Sequence, residues 1–208
     1  TSGYEPGSTF KMVTIAAALN EGMISPEQEF FCENGKYKIG RNMVRDTSPH
    51  GIMTLKQVLK KSSNICAAKI GMSMSPAKFH EYILRFGFGQ RPNSGVAAEA
   101  SGRVISPKKW QTIDHANISF GQAILVSPLQ MVSAANVFAN EGQWVPPYIV
   151  EHLRDNNGKK LQEIKANDGK LIQCFGKGVR STVVEASVAG LVKEYLVSVT
   201  QQGGTAVK

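Results

Sequence analysis

The 208 residues are 42% hydrophobic, 19% charged and 8% aromatic, a balance that excludes a disordered, collagenous or disulfide-scaffold chain. At about 150 residues per domain this is one domain or somewhat more, long enough to bury a core without metal or cross-links. The formal net charge of +8 would suit an anionic polymer or an acidic membrane surface, so the placement of the cations matters.

The basic residues are scattered. The tightest group, Lys36, Lys38, Arg41 and Arg45, has only Tyr37 for stacking, whereas nucleic-acid sites concentrate cations on one element, so no nucleic-acid partner is expected. No stretch approaches the roughly 18 consecutive apolar residues of a membrane span. Cys32, Cys66 and Cys174 fit neither CxxC metal spacing nor an even disulfide set, and are expected to be buried thiols.

The chain starts at Thr1-Ser2-Gly3 with no initiator Met and no targeting segment, and stops on the loop Gln201 to Lys208; an internal piece of a larger protein is expected. Residues 8 to 20 are apolar on nearly every face, from Phe10 through Leu19, and stop at Gly22, the pattern of a helix at the centre of a fold. Thr54 can cap a helix through Leu55, Val58 and Leu59, and Ile65 to Ile70 starts another after Ser62-Ser63-Asn64. Ser75-Pro76 is a cap followed by an N1 proline, opening a helix with Phe79, Tyr82, Ile83 and Phe86 that ends at Gly87. Ser127-Pro128 repeats that start before Leu129, Val132, Ala135 and Phe138, with Gly142 beyond. Strand signal is concentrated in one hairpin, Trp144 to Leu153 and Lys160 to Ile164 around Asp155-Asn156-Asn157-Gly158. A last helix, about 182 to 199, buries Val184, Val188, Leu191, Val192, Tyr195, Leu196 and Val199, with Thr182 and Glu185 as its capping box.

The chemistry begins with Ser-x-x-Lys, which puts a hydroxyl and an amine one helical turn apart. A lysine can take the serine proton if it is neutral, and both burial and the positive end of a helix dipole favour the neutral form. The pattern occurs at Ser8/Lys11, Ser75/Lys78 and Ser106/Lys109. Ser75 and Ser106 each precede a proline, the grammar of an ordinary helix start with the lysine on a solvated face. Ser8 follows Glu5-Pro6-Gly7 and heads the apolar helix, where a lysine is hard to solvate. Ser62-Ser63-Asn64 supplies a Ser-x-Asn, the element that accompanies Ser-x-x-Lys in acyl transfer, although Ser and Asn also suit a plain helix junction. His50, His80, His115 and His152 show no i,i+4 pairing for zinc, Asp46 and Glu99 are isolated carboxylates, and Gly87 and Gly89 make no phosphate loop. No metal or cofactor is expected.

Tyr4-Glu5-Pro6-Gly7-Ser8-Thr9-Phe10-Lys11 resembles the active-site motif of class B penicillin-binding proteins, the monofunctional peptidoglycan transpeptidases. Leu59-Lys60-Lys61-Ser62-Ser63-Asn64 is similar to their second motif, and Phe86-Gly87-Phe88-Gly89-Gln90 with Glu99-Ala100-Ser101-Gly102 to their glycine-marked loop. Ser119-Phe120-Gly121-Gln122 with Val126-Ser127-Pro128-Leu129-Gln130 resembles the stretch before the next long helix, and Glu5-Pro6 is closer to division-type than to elongation-type members. The third family motif, Lys-Thr-Gly or Lys-Ser-Gly, does not occur in the 208 residues; Gly204-Thr205-Ala206 looks like the loop before its strand.

The resemblance implies a mixed α/β, β-lactamase/transpeptidase-like fold, here mainly the helical part plus one β-hairpin with most of the central sheet missing. Residues 1 to 208 would be a partial transpeptidase domain stopping before Lys-Thr-Gly. It implies Ser8 as nucleophile, Lys11 as base, Ser62 as proton relay and Asn64 as holder of the substrate amide, acting on D-Ala-D-Ala stem peptides and acylated by penicillins. The fragment alone would be nearly inactive. The parent would sit at the periplasmic face of the bacterial inner membrane, its anchor outside this chain, beside a membrane glycosyltransferase of the divisome or elongasome. The rival readings are a serine β-lactamase or penicillin-sensing domain, and a non-catalytic interaction module that kept the fold.

Overall fold

The segment that is apolar on every face lies at the centre of the molecule. The computed structural model describes residues 3–95, 98–161, 163–165, 171–174 and 180–206. A 3-10 turn, Gly7–Phe10, runs directly into α1 (Lys11–Asn20), whose residues Lys11 to Leu19 are all buried. Four helices surround it: α2 (Leu55–Lys61), α3 (Asn64–Met72), α4 (Pro76–Arg85) and α7 (Ala186–Val199). A helix with no polar stripe cannot meet water on any side, so this enclosure follows from its composition. α5 (Thr112–Ser119) packs on α3, and α6 (Pro128–Ala139) on α7.

The helix starts are chemically marked. Thr54 and Gln57 form a capping box for α2, Ser75 caps α4 through the Lys78 N–H, and Ser127 with Gln130 forms a capping box for α6. α5 was not expected from the sequence. It docks closely on α3 because Gly71 has no side chain: a Cβ there would lie 1.9 Å from Ser119 Oγ. The last helix begins later than expected. Thr182 belongs to a strand, Glu185 makes no side-chain cap, and the Glu185 N–H is instead taken by Asn20 Oδ1 at 2.7 Å, at the end of α1.

Strand structure is not confined to one hairpin. β1 (Glu29–Phe31) pairs antiparallel with β4 (Ile52–Thr54), and β2 (Lys36–Ile39) with β3 (Asn42–Arg45). These strands are three or four residues long and only Ile39, Val44 and Met53 are buried, too little apolar alternation to register in sequence. The expected hairpin is also shorter: β6 (Leu153–Arg154) pairs with β7 (Lys160–Leu161) around the Asp155–Gly158 turn. Trp144 belongs elsewhere, in β5 (Gln143–Trp144), which pairs with β10 (Ser181–Thr182). Gln162 lies outside the described residues; β8 (Glu163–Lys165) pairs with β9 (Leu171–Cys174) instead of continuing β7.

The cysteine expectation also needs correction. Cys32 and Cys66 form a disulfide with Cα atoms 5.3 Å apart, inside the bridging range. The Cys32 N–H bonds the Gly51 carbonyl at 2.8 Å, which sets the residue after β1 beside the first turn of α3. An odd cysteine count concealed a pair; the side chain of Cys174 lies outside the described residues. The architecture is thus mixed α/β, dominated by helices with small sheets around them.

Candidate active site

Ser8 is not a helix cap. The 3-10 turn begins at Gly7, with Pro6 ahead of it and no side-chain cap. In 3-10 geometry residues i and i+3 eclipse, so Ser8 and Lys11 stand one above the other. Thr9 Oγ1 donates to the Pro6 carbonyl at 2.8 Å and tightens the turn. The segment before it is laid along residues 121–126: Tyr4 and Val126 exchange backbone bonds, the Gly7 N–H donates to the Gly121 carbonyl, and the Ala123 N–H to Glu5 Oε1. Gly121, with φ +81°, permits this approach, since a Cβ there would fall 2.1 Å from the Gly7 carbonyl oxygen. The Ser119–Gln122 stretch thereby acts as the bed on which the Ser8 turn rests.

Lys11 is 1% exposed. Its Nζ donates to Ser8 Oγ at 3.0 Å, to the Ser62 carbonyl at 2.6 Å and to Ser62 Oγ at 2.9 Å. Burial depresses its pKa to about 8, against a smaller upward pull from the Asp46 carboxylate. A neutral amine has two N–H donors and one lone pair. With the two Ser62 oxygens as acceptors, that lone pair is left for the Ser8 hydroxyl proton, an arrangement the three distances allow.

Ser62 closes α2 in a left-handed conformation, φ +60° and ψ +41°. That turn points its carbonyl and hydroxyl at Lys11 and lets α3 begin at once, with Ser63 Oγ accepting from the Cys66 N–H at 3.1 Å. Asp46 is not isolated, contrary to expectation. Its Oδ2 accepts from Ser63 Oγ at 2.6 Å, and its Oδ1 from the Asn64 and Ile65 N–H groups at 2.6 and 3.0 Å. A carboxylate at a helix N-terminus satisfies N–H groups that have no acceptor within the helix. Asn64 donates Nδ2 to the Arg45 carbonyl at 3.0 Å, and among the described residues its Oδ1 accepts no hydrogen bond.

Ser8 and Ser62 line an apolar cavity of about 550 Å³ with Met12, Leu59, Met131 and Leu196 among its walls. The other Ser-x-x-Lys pairs are elsewhere. Ser75 caps α4 and Lys78 Nζ pairs with Glu81 and Glu21; Ser106 precedes only a 3-10 turn, Pro107–Lys109, and makes no side-chain cap. Glu99 has partners too, accepting from the Asn93 and Ser94 N–H groups and from Ser94 Oγ. Burial opposes its ionisation, but these bonds and the Arg91 charge together lower its pKa. The buried Gln130 donates to the Gln90 and Ser101 carbonyls at 2.9 and 3.0 Å, so the glycine-marked loop is fastened to the start of α6. Neither Asp46 nor Gln130 stands out by spacing. The helix starts they serve are visible in the sequence, and each start has N–H groups that need acceptors.

Comparison with known proteins identifies the family and the fold. The penicillin binding protein transpeptidase domain model matches residues 1–208. The probable peptidoglycan D,D-transpeptidase PenA of Neisseria flavescens is 31% identical over 207 residues, covering 100% of this chain and 46% of the relative. Peptidoglycan D,D-transpeptidase FtsI of Escherichia coli is 32% identical over 144 residues, 69% of this chain and 24% of the relative. Among solved structures, penicillin-binding protein 3 of Mycobacterium tuberculosis complexed with aztreonam superposes with a TM-score of 0.84 at 29% identity, over 97% of this chain and 43% of that one. The transpeptidase domain of Burkholderia pseudomallei penicillin-binding protein 3 gives 0.81 at 30% identity, over 98% and 55%. The chain thus spans about half, or less, of the relatives it matches. With Ser8, Lys11 and Ser62 joined at one point of that shared fold, the chain belongs to the transpeptidase-domain family of the class B penicillin-binding proteins.

Proposed function

We propose that this chain carries the serine centre of a peptidoglycan D,D-transpeptidase that acts through an acyl-Ser8 intermediate. The observation that supports this most is the Lys11 amine, buried, depressed to about 8, and bonded to both Ser8 Oγ and Ser62 Oγ. Neutral Lys11 takes the Ser8 proton as Oγ attacks the carbonyl of the penultimate D-alanine in a D-Ala-D-Ala stem. The proton passes through Ser62 Oγ to the leaving amine, the C–N bond breaks, and D-alanine departs. The amine of a second stem then attacks the Ser8 ester, forming the cross-link and returning the proton to Ser8. Asn64 is assigned the substrate amide: its Nδ2 is held by the Arg45 carbonyl, and its Oδ1, which accepts no hydrogen bond among the described residues, would accept from a substrate N–H. The Ser8 N–H, in the first turn of its helix and without an intrahelical acceptor, serves as one oxyanion donor. These steps use side chains and backbone alone. β-Lactams that mimic the dipeptide acylate Ser8.

The 208 residues hold no Lys-Thr-Gly or Lys-Ser-Gly, so we read them as the helical part of the domain, with the second oxyanion donor and the substrate-carboxylate site on the strand bearing that motif. Loss of one oxyanion donor costs roughly 100- to 1,000-fold, and the chain by itself is expected to be nearly inactive; rapid stoichiometric labelling by a fluorescent penicillin would overturn that. The Cys32–Cys66 disulfide suits an oxidising compartment, in keeping with the periplasmic face of the inner membrane. No described helix is long and apolar enough to cross a membrane. A division-type role beside a membrane glycosyltransferase extends the likeness to relatives named FtsI and stage V sporulation protein D.

The test is turnover by the full-length protein. Release of D-alanine with formation of an amide-linked stem dimer, blocked by benzylpenicillin, supports the transpeptidase. Sustained nitrocefin hydrolysis without dimer would point to a β-lactamase, and cross-linking unchanged in Lys11→Ala to a non-catalytic module.

A further inference from the structure

We propose that Asp46 is a positioning residue for this centre: one carboxylate, on the loop after β3, holds the start of α3 against the turn that presents both Ser62 oxygens to Lys11. The inference rests on the transpeptidase reading for its consequence and on the geometry for its substance.

The Ser62 turn is held from two sides. Ser62 adopts φ +60°, a conformation that a non-glycine residue keeps only where the surroundings hold it. On the α2 side the Ser62 and Ser63 N–H groups close the turn on the Leu59 and Val58 carbonyls at 3.1 and 3.2 Å. On the α3 side Asp46 holds it, from 17 to 19 positions earlier in the chain, by taking the Ser63 hydroxyl and the Asn64 and Ile65 N–H groups at once. The chain around it is tied to the same point. The Asp46 N–H bonds the Gly35 carbonyl at 3.2 Å and the Arg45 carbonyl accepts from Asn64 Nδ2, so the β2–β3 hairpin and the start of α3 are one unit. Without the carboxylate, the N–H groups of α3 and the Ser63 hydroxyl lose their acceptor, and the Ser62 carbonyl and hydroxyl are freed from their register with Nζ.

The second part is electrostatic. Asp46 is the charged group whose field acts on Lys11, raising its proton affinity against the effect of burial. Most other ionisable groups on the helices packed against α1 have partners of their own, and burial pushes the Tyr195 phenol of α7 up. Lys56 pairs with Glu194 of α7, Lys61 donates to the Gly203 carbonyl, and Lys69 takes Glu33. On α4, Lys78 and Arg85 pair with Glu81, Tyr82 bonds Glu21, and His80 is held toward neutrality by burial. Lys60 of α2 and Lys193 of α7 make no ion pair among the described residues; Lys193 is exposed. The carboxylate that holds the start of α3 thus also opposes the effect of burial on Lys11.

The two parts separate by substitution in the full-length protein. Asp46→Asn keeps an Oδ1 acceptor for the Asn64 and Ile65 N–H groups but removes the charge. The Lys11 titration midpoint, read by 15N or 13C NMR of the lysine side chain, is expected to fall by roughly half a unit to one unit, and the pH profile of benzylpenicillin acylation to move with it. Asp46→Ala removes both, and acylation is expected to drop at least tenfold at every pH. An unmoved Lys11 midpoint in Asp46→Asn overturns the electrostatic part, and full acylation in Asp46→Ala overturns the positioning part. If wild type is not acylated at all, the transpeptidase reading fails instead, while the NMR midpoints still decide on Asp46.

Discussion

Raising the pH from 7 to 9 should accelerate acylation of Ser8 by benzylpenicillin about tenfold and then leave it flat. The reason is the buried position of Lys11, whose pKa stands at about 8 against an ordinary 10.5. About a tenth of the molecules then carry a neutral Lys11 at pH 7 and about nine tenths at pH 9, and only those can accept the Ser8 proton. An ordinary lysine would be neutral in roughly one molecule in 3,000 at pH 7 and would keep gaining tenfold per unit through pH 10. The assay is the second-order acylation rate of the full-length protein by a fluorescent penicillin, measured by stopped flow between pH 6 and 10. A midpoint near pH 8 with a plateau above pH 9 is the expected result. A rate still rising at pH 10, or one independent of pH, would refute Lys11 as the base.

The same depression has a stability consequence. Between pH 8 and 10.5 the unfolded chain holds a Lys11 proton that the folded one has released, so this residue adds stability as pH rises through that window and is most costly below it. The cost, about 3 kcal/mol, is comparable to the hydrogen bonds the ammonium makes; Lys11→Met should abolish acylation yet leave Tm at pH 7 within a few degrees of wild type or above it, as calorimetry would show. Gly121→Ala would place a Cβ 2.1 Å from the Gly7 carbonyl oxygen, and the Ser8 turn must shift to accommodate it; acylation is expected to fall at least tenfold, and wild-type rates would show that this bed does not position Ser8. Replacing both Cys32 and Cys66 with alanine opens a loop across a sequence separation of 34 and should cost about 4 kcal/mol in denaturant unfolding; a loss below about 1 kcal/mol would mean that the surrounding packing already holds the loop.

How much of this could be read from the sequence depended on how local the determinant was. Ser8 and Lys11 stand within one turn, and an all-apolar helix behind them leaves a lysine no water, so both the pairing and its burial follow from neighbouring residues. Ser62 was legible as part of a Ser-x-Asn beside a helix start, but its left-handed turn was not, because nothing in the tripeptide requires it. The role of Asp46 is not legible in the sequence, because its partners are 17 to 19 residues away and reached only through the bend after β3. The disulfide was hidden in the same way: an odd count and a separation of 34 say nothing until β1 and β4 pair. Short strands such as Lys36–Ile39, with cations facing outward, carry too little hydrophobic alternation to stand out, whereas serine–proline helix starts announced α4 and α6 to the residue.

Digesting the full-length protein after brief exposure to benzylpenicillin and mapping the adduct by mass spectrometry goes to the heart of the matter. A single stoichiometric adduct on the peptide containing Ser8, absent from both Ser8→Ala and Lys11→Met, is the predicted result. An adduct centred on Ser62, Ser75 or Ser106, or no adduct with folded protein, would contradict the assignment of Ser8 as the nucleophile.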